Sequence, residues 1–338
     1  MKETDLELRK QTSAFFKKIE QLTKPDHCLL CGKENVSICN SHIVPKFILK
    51  CIASEGKVSY GPSLYNLAND FFETTKGVNN AFTFHLICRD CDKKMFSSYE
   101  SEESILSFDT LPNDKKNRVL TEMALKSHLA HIYSKAKSLN LRREMYPLEL
   151  EMRYRFGLPT AFDIDIKEHF QYIKSLTNRG KRSSFTFDIL YNELLDYQVG
   201  LASQTIIAYQ YDLTGKQIFD PHDFSTVNFT KYFYLMILPC NGKTRILFYI
   251  ERKYVNLVQP IISQFNKLSP EEKLHFLFVS LIIYDEQFYM NPKLQQKIKK
   301  DKSLVKLYST TDPDWGNSDS CKKIKDFRKY KNYLINPL

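Results

Sequence analysis

The chain has 338 residues, enough for two ordinary domains or one large one, and 43% of them are hydrophobic. An aromatic share of 13% with only 10 glycines excludes a low-complexity or largely disordered protein. The formal net charge is +10, and residues 291–338 hold 12 Lys and Arg against 5 Asp and Glu. This basic end suits a polyanion such as nucleic acid, and a solvated, lysine-rich terminal helix is the alternative.

The N-terminal residues 1–24 predict an amphipathic helix, because Phe15, Phe16, Ile19 and Leu22 recur at helical spacing. This segment is charged and lacks the apolar core of a secretory signal, so we expect a cytoplasmic protein. The longest apolar runs fall far short of the roughly 20 residues that a membrane helix needs. No membrane partner is therefore expected.

Two Cys-x-x-Cys pairs follow, Cys28 with Cys31 and Cys88 with Cys91. In a reducing compartment this spacing is typical of metal ligands rather than disulfides. Zinc prefers four tetrahedral ligands and binds thiolates strongly. Gly32 suits the first pair, because a knuckle turn often requires a positive φ at this point. One knuckle plus one pair at a helix start predicts a structural zinc site of the treble-clef type.

The segment between the pairs contains the stretch "CNSHIVPKFIL". Together with the cysteines, it resembles the zinc-stapled branch of the HNH endonucleases, the ββα-metal nucleases, over residues 26–103. That family has a cysteine pair, an Asp-His or His-His with a following Pro, an Asn, and a second pair at the start of a helix. The chain has Ser41, His42 and Pro45 at the corresponding positions. It also looks like bacterial proteins with a Ser-His-x-x-Pro-Lys motif, some of which accompany phage-defence genes.

The resemblance implies a catalytic role for His42. Phosphodiester hydrolysis needs a base for the attacking water and a divalent cation, such as Mg²⁺, for the leaving oxygen. In the family the strand histidine is the base, so His42 takes that role, and Asn80 (or Asn79) would orient it. The alternative is that His42 packs within the clef or binds the zinc.

The ligands of the catalytic cation depart from the family pattern. Ser41 stands where the family has an Asp or His, and the usual histidine of the following helix is missing. A helix predicted over residues 92–106 offers Asp92 and Glu100 as replacements. Eight residues apart on one helix, they would lie about 80° apart around its axis and share one cation.

Further candidates are basic side chains that suit phosphate contacts, with a solvated surface as the alternative. They are Lys46, Arg179, Lys181 and Arg182. Two other histidines, His128 and His131, are three residues apart on a predicted helix, and His85 precedes Cys88. We interpret His128 and His131 as a packed or solvent-facing pair rather than a metal site, because no carboxylate partner is evident. For His85 the alternative is that it replaces a cysteine as a zinc ligand.

The rest of the chain predicts a helix from Lys115 to Leu139 and a domain boundary near residues 142–150. The second half then changes to strand-like runs around turns. Asn241-Gly242 predicts a tight hairpin turn, and a "SPEEK" helix start and a lysine-rich helix over 291–307 follow.

The predicted fold is α+β with three parts. Residues 1–25 form the N-terminal helix, residues 26–142 a zinc-stapled HNH-like module, and residues 143–338 a mixed domain built around an antiparallel sheet. The predicted function is a metal-dependent endonuclease that cuts DNA, with a possible phage-defence role and a protein partner bound through the C-terminal domain. The alternative hypothesis is a non-catalytic, zinc-stabilised subunit that binds nucleic acid or protein.

Overall fold

The computed structural model describes residues 3–61, 75–179, 186–220, 230–285, 288–309 and 321–335. The α-helices formed by these residues are α1 (Glu3–Thr23), α2 (Lys46–Ile52), α3 (Arg89–Phe96), α4 (Glu102–Leu106), α5 (Asn113–Met145), α6 (Pro147–Arg155), α7 (Ala161–Arg179), α8 (Gln259–Asn266), α9 (Pro270–Tyr284), α10 (Pro292–Lys299) and α11 (Lys302–Ser309). The strands are β1 (Ser41–His42), β2 (Lys57–Tyr60), β3 (Thr75–Gly77), β4 (Thr83–Phe84), β5 (Phe187–Leu195), β6 (Leu201–Ile207), β7 (Phe233–Cys240), β8 (Lys243–Glu251) and β9 (Tyr289–Met290). The fold is therefore mixed α and β, as predicted.

The chain divides into two compact units, each assembled from three separate segments. The first unit comprises Met1–Ile43, Thr83–Ser97 and Thr121–Arg182. The second comprises Val44–Phe82, Ser98–Leu120 and Ser183–Leu338. The predicted boundary at residues 142–150 lies inside the first unit.

The first unit is largely helical, with the short antiparallel ribbon β1–β4 as its sheet component. Helix α1 lies along the C-terminal half of α5, where Lys137 pairs with Glu20 at 3.0 Å and Asn140 donates to Thr23 Oγ1 at 3.1 Å. Ile19 of α1 is fully buried, as expected from its place in the amphipathic pattern. The N-terminal helix predicted over residues 1–24 is confirmed.

The second unit contains a sheet in which the order of the described strands is β3-β2-β9-β6-β7-β8-β5. Every pairing in it is antiparallel. Strands β6 and β7 are buried along their whole length, because helices cover both faces. Helices α2 and α4 lie against one face, and residues of α8 to α11 join the apolar cluster on the other. Such double coverage explains why these strands appear in the sequence as continuous apolar runs.

The hairpin β7–β8 confirms the prediction made from Asn241-Gly242. The two turn residues have φ of 50° and 76°, which is the left-handed backbone that a type I′ turn requires at both positions. Cross-strand ring pairs lie at the end of the hairpin away from this turn. Tyr234 stacks on Tyr249 with ring centroids 4.9 Å apart, and Phe233 stacks on Phe248 at 5.3 Å. These pairs hold the register of the two central strands.

Two helices predicted as continuous are interrupted. The helix expected over residues 92–106 is wrong as a single element, since α3 ends at Phe96 and α4 begins at Glu102. Ser101 causes the new start, because its hydroxyl accepts the backbone N–H of Ser104 at 3.1 Å. The lysine-rich helix is divided into α10 and α11 in the same way, by the Asp301 carboxylate, which caps the backbone N–H groups of Ser303 and Leu304.

The helix α9 begins where the "SPEEK" sequence predicts. Ser269 and Glu272 form a reciprocal capping box, and Pro270 occupies the first turn. Across the described ranges, no helix combines the length and the apolar character that spanning a membrane requires.

Candidate metal centre

The first cysteine pair lies on a knuckle turn formed by its own backbone. Gly32 has a φ of +68° and donates to the carbonyl of Cys28 at 2.8 Å. The Cys28 N–H in turn donates to the carbonyl of Lys33 at 3.0 Å. The left-handed conformation favours glycine, since a side chain there would crowd the backbone. This turn brings the Cys28 and Cys31 sulfurs to the same side, as the spacing predicts.

The second cysteine pair lies at the start of α3, and backbone hydrogen bonds join it to the knuckle. Cys88 is the N-cap of α3 and forms an antiparallel bridge with Ile38. The Leu29 N–H donates to the carbonyl of Leu86 at 3.0 Å. Main-chain hydrogen bonds, as well as the contact between the Cys31 and Cys88 sulfurs, thus join residues that are some sixty positions apart in the sequence.

The sulfur atoms of Cys28, Cys31, Cys88 and Cys91 all lie within 4.8 Å of one another. Two of them, on Cys31 and Cys88, are 3.9 Å apart. Tetrahedral zinc with Zn–S bonds of about 2.3 Å places its sulfurs about 3.8 Å apart. The four side chains therefore fit a structural zinc ion in number, element and spacing.

The thiols of this cluster differ in acidity. Burial opposes ionisation of Cys28, but the backbone N–H groups of Cys88, Cys31 and Leu30 outweigh it and lower the pKa to about 6. The Cys88 N–H lies 3.2 Å from the Cys28 sulfur. Burial and hydrogen bonds among the four thiols raise the pKa of Cys91. A cation bound here would therefore displace protons from the less acidic thiols, which makes metal binding pH-dependent.

The strand β1 lies beside α3 and brings two of the predicted cation ligands together. β1 pairs with β4 in the register Ser41 with Phe84 and His42 with Thr83. The buried Ser41 hydroxyl donates to Asp92 Oδ1 of α3 at 2.5 Å. The predicted proximity of these two side chains is thus present in the structure.

A lysine also approaches this carboxylate. Lys126 Nζ lies 3.7 Å from Asp92 Oδ1, and the lysine side chain is 2% exposed. The same ammonium lies over the ring of Phe96, 4.5 Å from its centroid. A positive charge beside Asp92 disfavours a divalent cation at the same oxygen. Within the described residues, the four cysteines form the one group of three or more potential ligands close enough to hold a metal.

Sequence reasoning did not single out Lys126, although a signal was present. The residue stands seven positions after Val119 and three after Met123, both buried, in the stretch 119–130 of α5, where every residue is buried. A lysine at a position where helical spacing requires a buried side chain needs a partner of opposite charge. Asp92 supplies that partner.

The other predicted catalytic residues occupy different places. His42 is partly exposed on β1, in the first unit. Asn80 ends a 3₁₀ segment and is exposed, and it belongs to the second unit, as does Glu100. Glu100 follows the end of α3, so the argument that placed it 80° from Asp92 on a common helix is wrong.

The candidate phosphate ligands are only partly described. Lys46 is exposed at the first position of α2. The side chain of Arg179 lies outside the described residues, and so do Lys181 and Arg182. Their role stays a prediction.

His85 and His128 pack against aromatic and imidazole rings. His85 shares a hydrogen bond with the Tyr133 hydroxyl at 2.9 Å. His128 Nδ1 lies 2.9 Å from His169 Nδ1 of α7, and the ring of Tyr172 stacks on His128 at 4.6 Å. These contacts agree with the packed alternative for His128. His85 bonds to Tyr133 and is not part of the four-cysteine group.

Comparison of the chain with protein-family models, with curated proteins and with solved structures finds no match. Inference about its function therefore rests on the residues and their geometry.

Proposed function

We propose that the chain is a zinc-stapled endonuclease of the HNH type that hydrolyses phosphodiester bonds of DNA. The observation that carries the proposal is the order of elements around the cysteines in the first unit. Strand β1, which carries His42, pairs antiparallel with β4. After β4 the chain enters α3, with Cys88 and Cys91 at the helix start, and the segment Val44–Phe82 between the two strands belongs to the second unit. This is the ββα order of the family that the sequence resembles.

The zinc ion has a structural role in this proposal. It would cross-link the knuckle to the start of α3 through the four thiolates and thereby hold β1 beside the helix. The partly exposed His42 accepts a proton from the attacking water as general base. Ser41 precedes His42 on β1 and donates to Asp92, and these two side chains would hold Mg²⁺ or a similar cation.

A non-catalytic, zinc-stabilised binding module is the second candidate, and a specific observation favours it. The Asp92 carboxylate already accepts the Ser41 hydroxyl and lies 3.7 Å from the Lys126 ammonium. These contacts satisfy its charge without a metal ion. The zinc would then stabilise a surface for nucleic acid or protein, and the basic C-terminal residues would add affinity for phosphates.

Plasmid nicking in the presence of Mg²⁺ or Mn²⁺ tests the two candidates. The nuclease proposal expects cutting that falls by about 10²- to 10⁴-fold in His42→Ala, the range typical of a lost general base. His27→Ala is the matched control, because His27, like His42, is a partly exposed histidine of the first unit. The zinc content of each preparation is measured alongside, so that an effect of lost zinc binding is distinguished from an effect of the missing His42 side chain.

The other outcomes are equally informative. A wild-type protein that binds DNA with a strong salt dependence but never cuts it supports the binding module. Cutting that survives in His42→Ala at full zinc content shows that another residue is the base.

A further inference from the structure

The helix α6 and its flanks expose several large apolar side chains. Leu148 is 74% exposed, Met152 60% and Phe156 70%. We define the α6 patch by its exposed apolar members, which are Met145, Tyr146, Leu148, Met152, Phe156 and Leu158. A contiguous apolar patch of this kind marks an interaction site.

The patch forms one face of the helix. Leu148, Met152 and Phe156 are spaced four residues apart, so they follow one another along a single face. Leu150 points the other way and is buried. The helix is thus attached to its own unit through Leu150, and it presents a second apolar face outward.

The charges beside the patch follow a simple order. Glu151 and Arg155 flank one edge of the apolar face, and Glu149 and Arg153 flank the other. On both edges the acid precedes the base by four residues. Glu149 and Arg153 pair within the helix at 3.3 Å. Glu151 and Arg155 form no ion pair with any other residue that the structure describes.

The order of these charges indicates which kind of partner covers the α6 patch. Two copies of α6 packed antiparallel about a two-fold axis place the acid of each edge opposite the base of the partner helix. A membrane surface would instead favour an excess of Lys and Arg on such a helix, whereas the two acids and two arginines of Pro147–Arg155 cancel. We propose that the α6 patch is the interface of a homodimer in which two α6 helices pack antiparallel.

In this dimer, Leu148 of one protomer packs near Phe156 of its partner, with Met152 close to the two-fold axis. Glu151 of each protomer faces Arg155 of the other. The interface covers apolar side chains that are otherwise in water, which is the main stabilising contribution, and the charges specify the direction of the helices.

Sedimentation equilibrium of the full chain at micromolar concentration tests the proposal. The wild type is expected at twice the mass of the chain. Met152→Glu buries an unpaired carboxylate at the axis and is expected to raise the dimer dissociation constant at least about a hundredfold. Leu257→Glu is the matched control, because Leu257 is 63% exposed and belongs to the second unit. Circular dichroism of each variant verifies that it is folded.

A charge exchange tests the antiparallel arrangement. Glu151→Arg places two arginines opposite each other on that edge, and Arg155→Glu places two glutamates there, so each variant alone is expected to be mainly monomeric. Mixing the two variants restores both attractive pairs and is expected to give a heterodimer. A monomeric wild type, or a dimer whose dissociation constant Met152→Glu leaves unchanged, overturns the proposal. Failure of the mixture to associate overturns the antiparallel pairing.

Discussion

Backbone hydrogen bonds to the four-cysteine cluster favour the thiolate form that a metal ion requires. The N–H groups around Cys28 point at its sulfur and lower the pKa of the thiol to about 6 against the effect of burial. They would also offset part of the negative charge of a tetrathiolate site. Hydrogen bonds to the ligand atoms of a metal orient those ligands and tune the metal.

Replacement of Cys31 by serine is expected to abolish stable zinc binding. The side chain is exposed, so its loss costs little packing, and any effect comes from the missing ligand. We expect about one zinc per wild-type chain. The affinity loss in Cys31→Ser is expected to exceed the roughly 10–100-fold loss that follows when a hydrogen-bond partner of a ligand is removed. Metal analysis after dialysis and thermal melting measure both effects.

Cys51→Ser is the control for this prediction. Cys51 lies in the second unit and donates to the Phe47 carbonyl at 3.3 Å, a bond that serine also makes. Its zinc content is expected to equal that of the wild type. Equal zinc in Cys31→Ser, or none in the wild type, would contradict the assignment.

At the scale of elements, local side-chain chemistry determines where helices and turns begin. Ser101 starts α4, Asp301 starts α11 and Ser269 starts α9, each by accepting backbone N–H groups that the first helical turn leaves unpaired. The type I′ turn of the central hairpin depends on the backbone of Asn241 and Gly242 in the same local way.

Substitution of Gly242 by alanine is expected to destabilise the hairpin by about 1–2 kcal/mol, the cost of a left-handed backbone for an L-residue. A Cβ at this position meets no atom within 4 Å, so the effect is one of conformation rather than of a clash. Gly77→Ala is the control, because its φ is −57° and its Cβ would also meet open space. Urea unfolding measures the free energy of unfolding of both variants. Equal values for Gly242→Ala and Gly77→Ala would contradict this explanation.

At the scale of the whole molecule, stability depends on histidines buried in the first unit. Burial lowers the pKa of His128 and His169, and it lowers the pKa of His131 to about 3 with help from the positive charge of Lys135. The unfolded chain binds protons at these groups below their ordinary pKa of about 6.5, whereas the folded chain does not. The free energy of unfolding therefore falls as the pH falls from about 6.5 towards 3.

The slope of this loss is expected to rise as the pH falls below about 6.5 and to approach about 1.4 kcal/mol per pH unit for each histidine near pH 5. Urea unfolding at a series of pH values between 7 and 5 measures it. His169→Phe removes one titrating group while keeping a ring against His128, so its slope should be smaller by about that amount. Comparison with the wild type cancels contributions from other groups, such as acid release of metal from the thiols. Identical slopes would contradict the prediction.

Much of what the sequence predicted correctly depends on residues close together in the chain. The N-terminal helix follows from apolar spacing, the knuckle from Cys28, Cys31 and Gly32, and the hairpin from Asn241-Gly242. Such features are determined by the sequence itself, because backbone sterics and periodicity act within a few residues. The cysteine cluster was predictable for a different reason, namely that the chemistry of zinc requires its two pairs to meet.

The tertiary structure alone decided the features that depend on distant partners. It brought Lys126 to Asp92 and His169 to His128, and it added β2 and β9 to the sheet of the second unit. It also left the apolar face of α6 uncovered. These outcomes depend on which surfaces meet after the chain has folded, and no local propensity specifies that. The physical reason is that burial of charge and of apolar area is a property of packing, which sequence spacing describes only within one element.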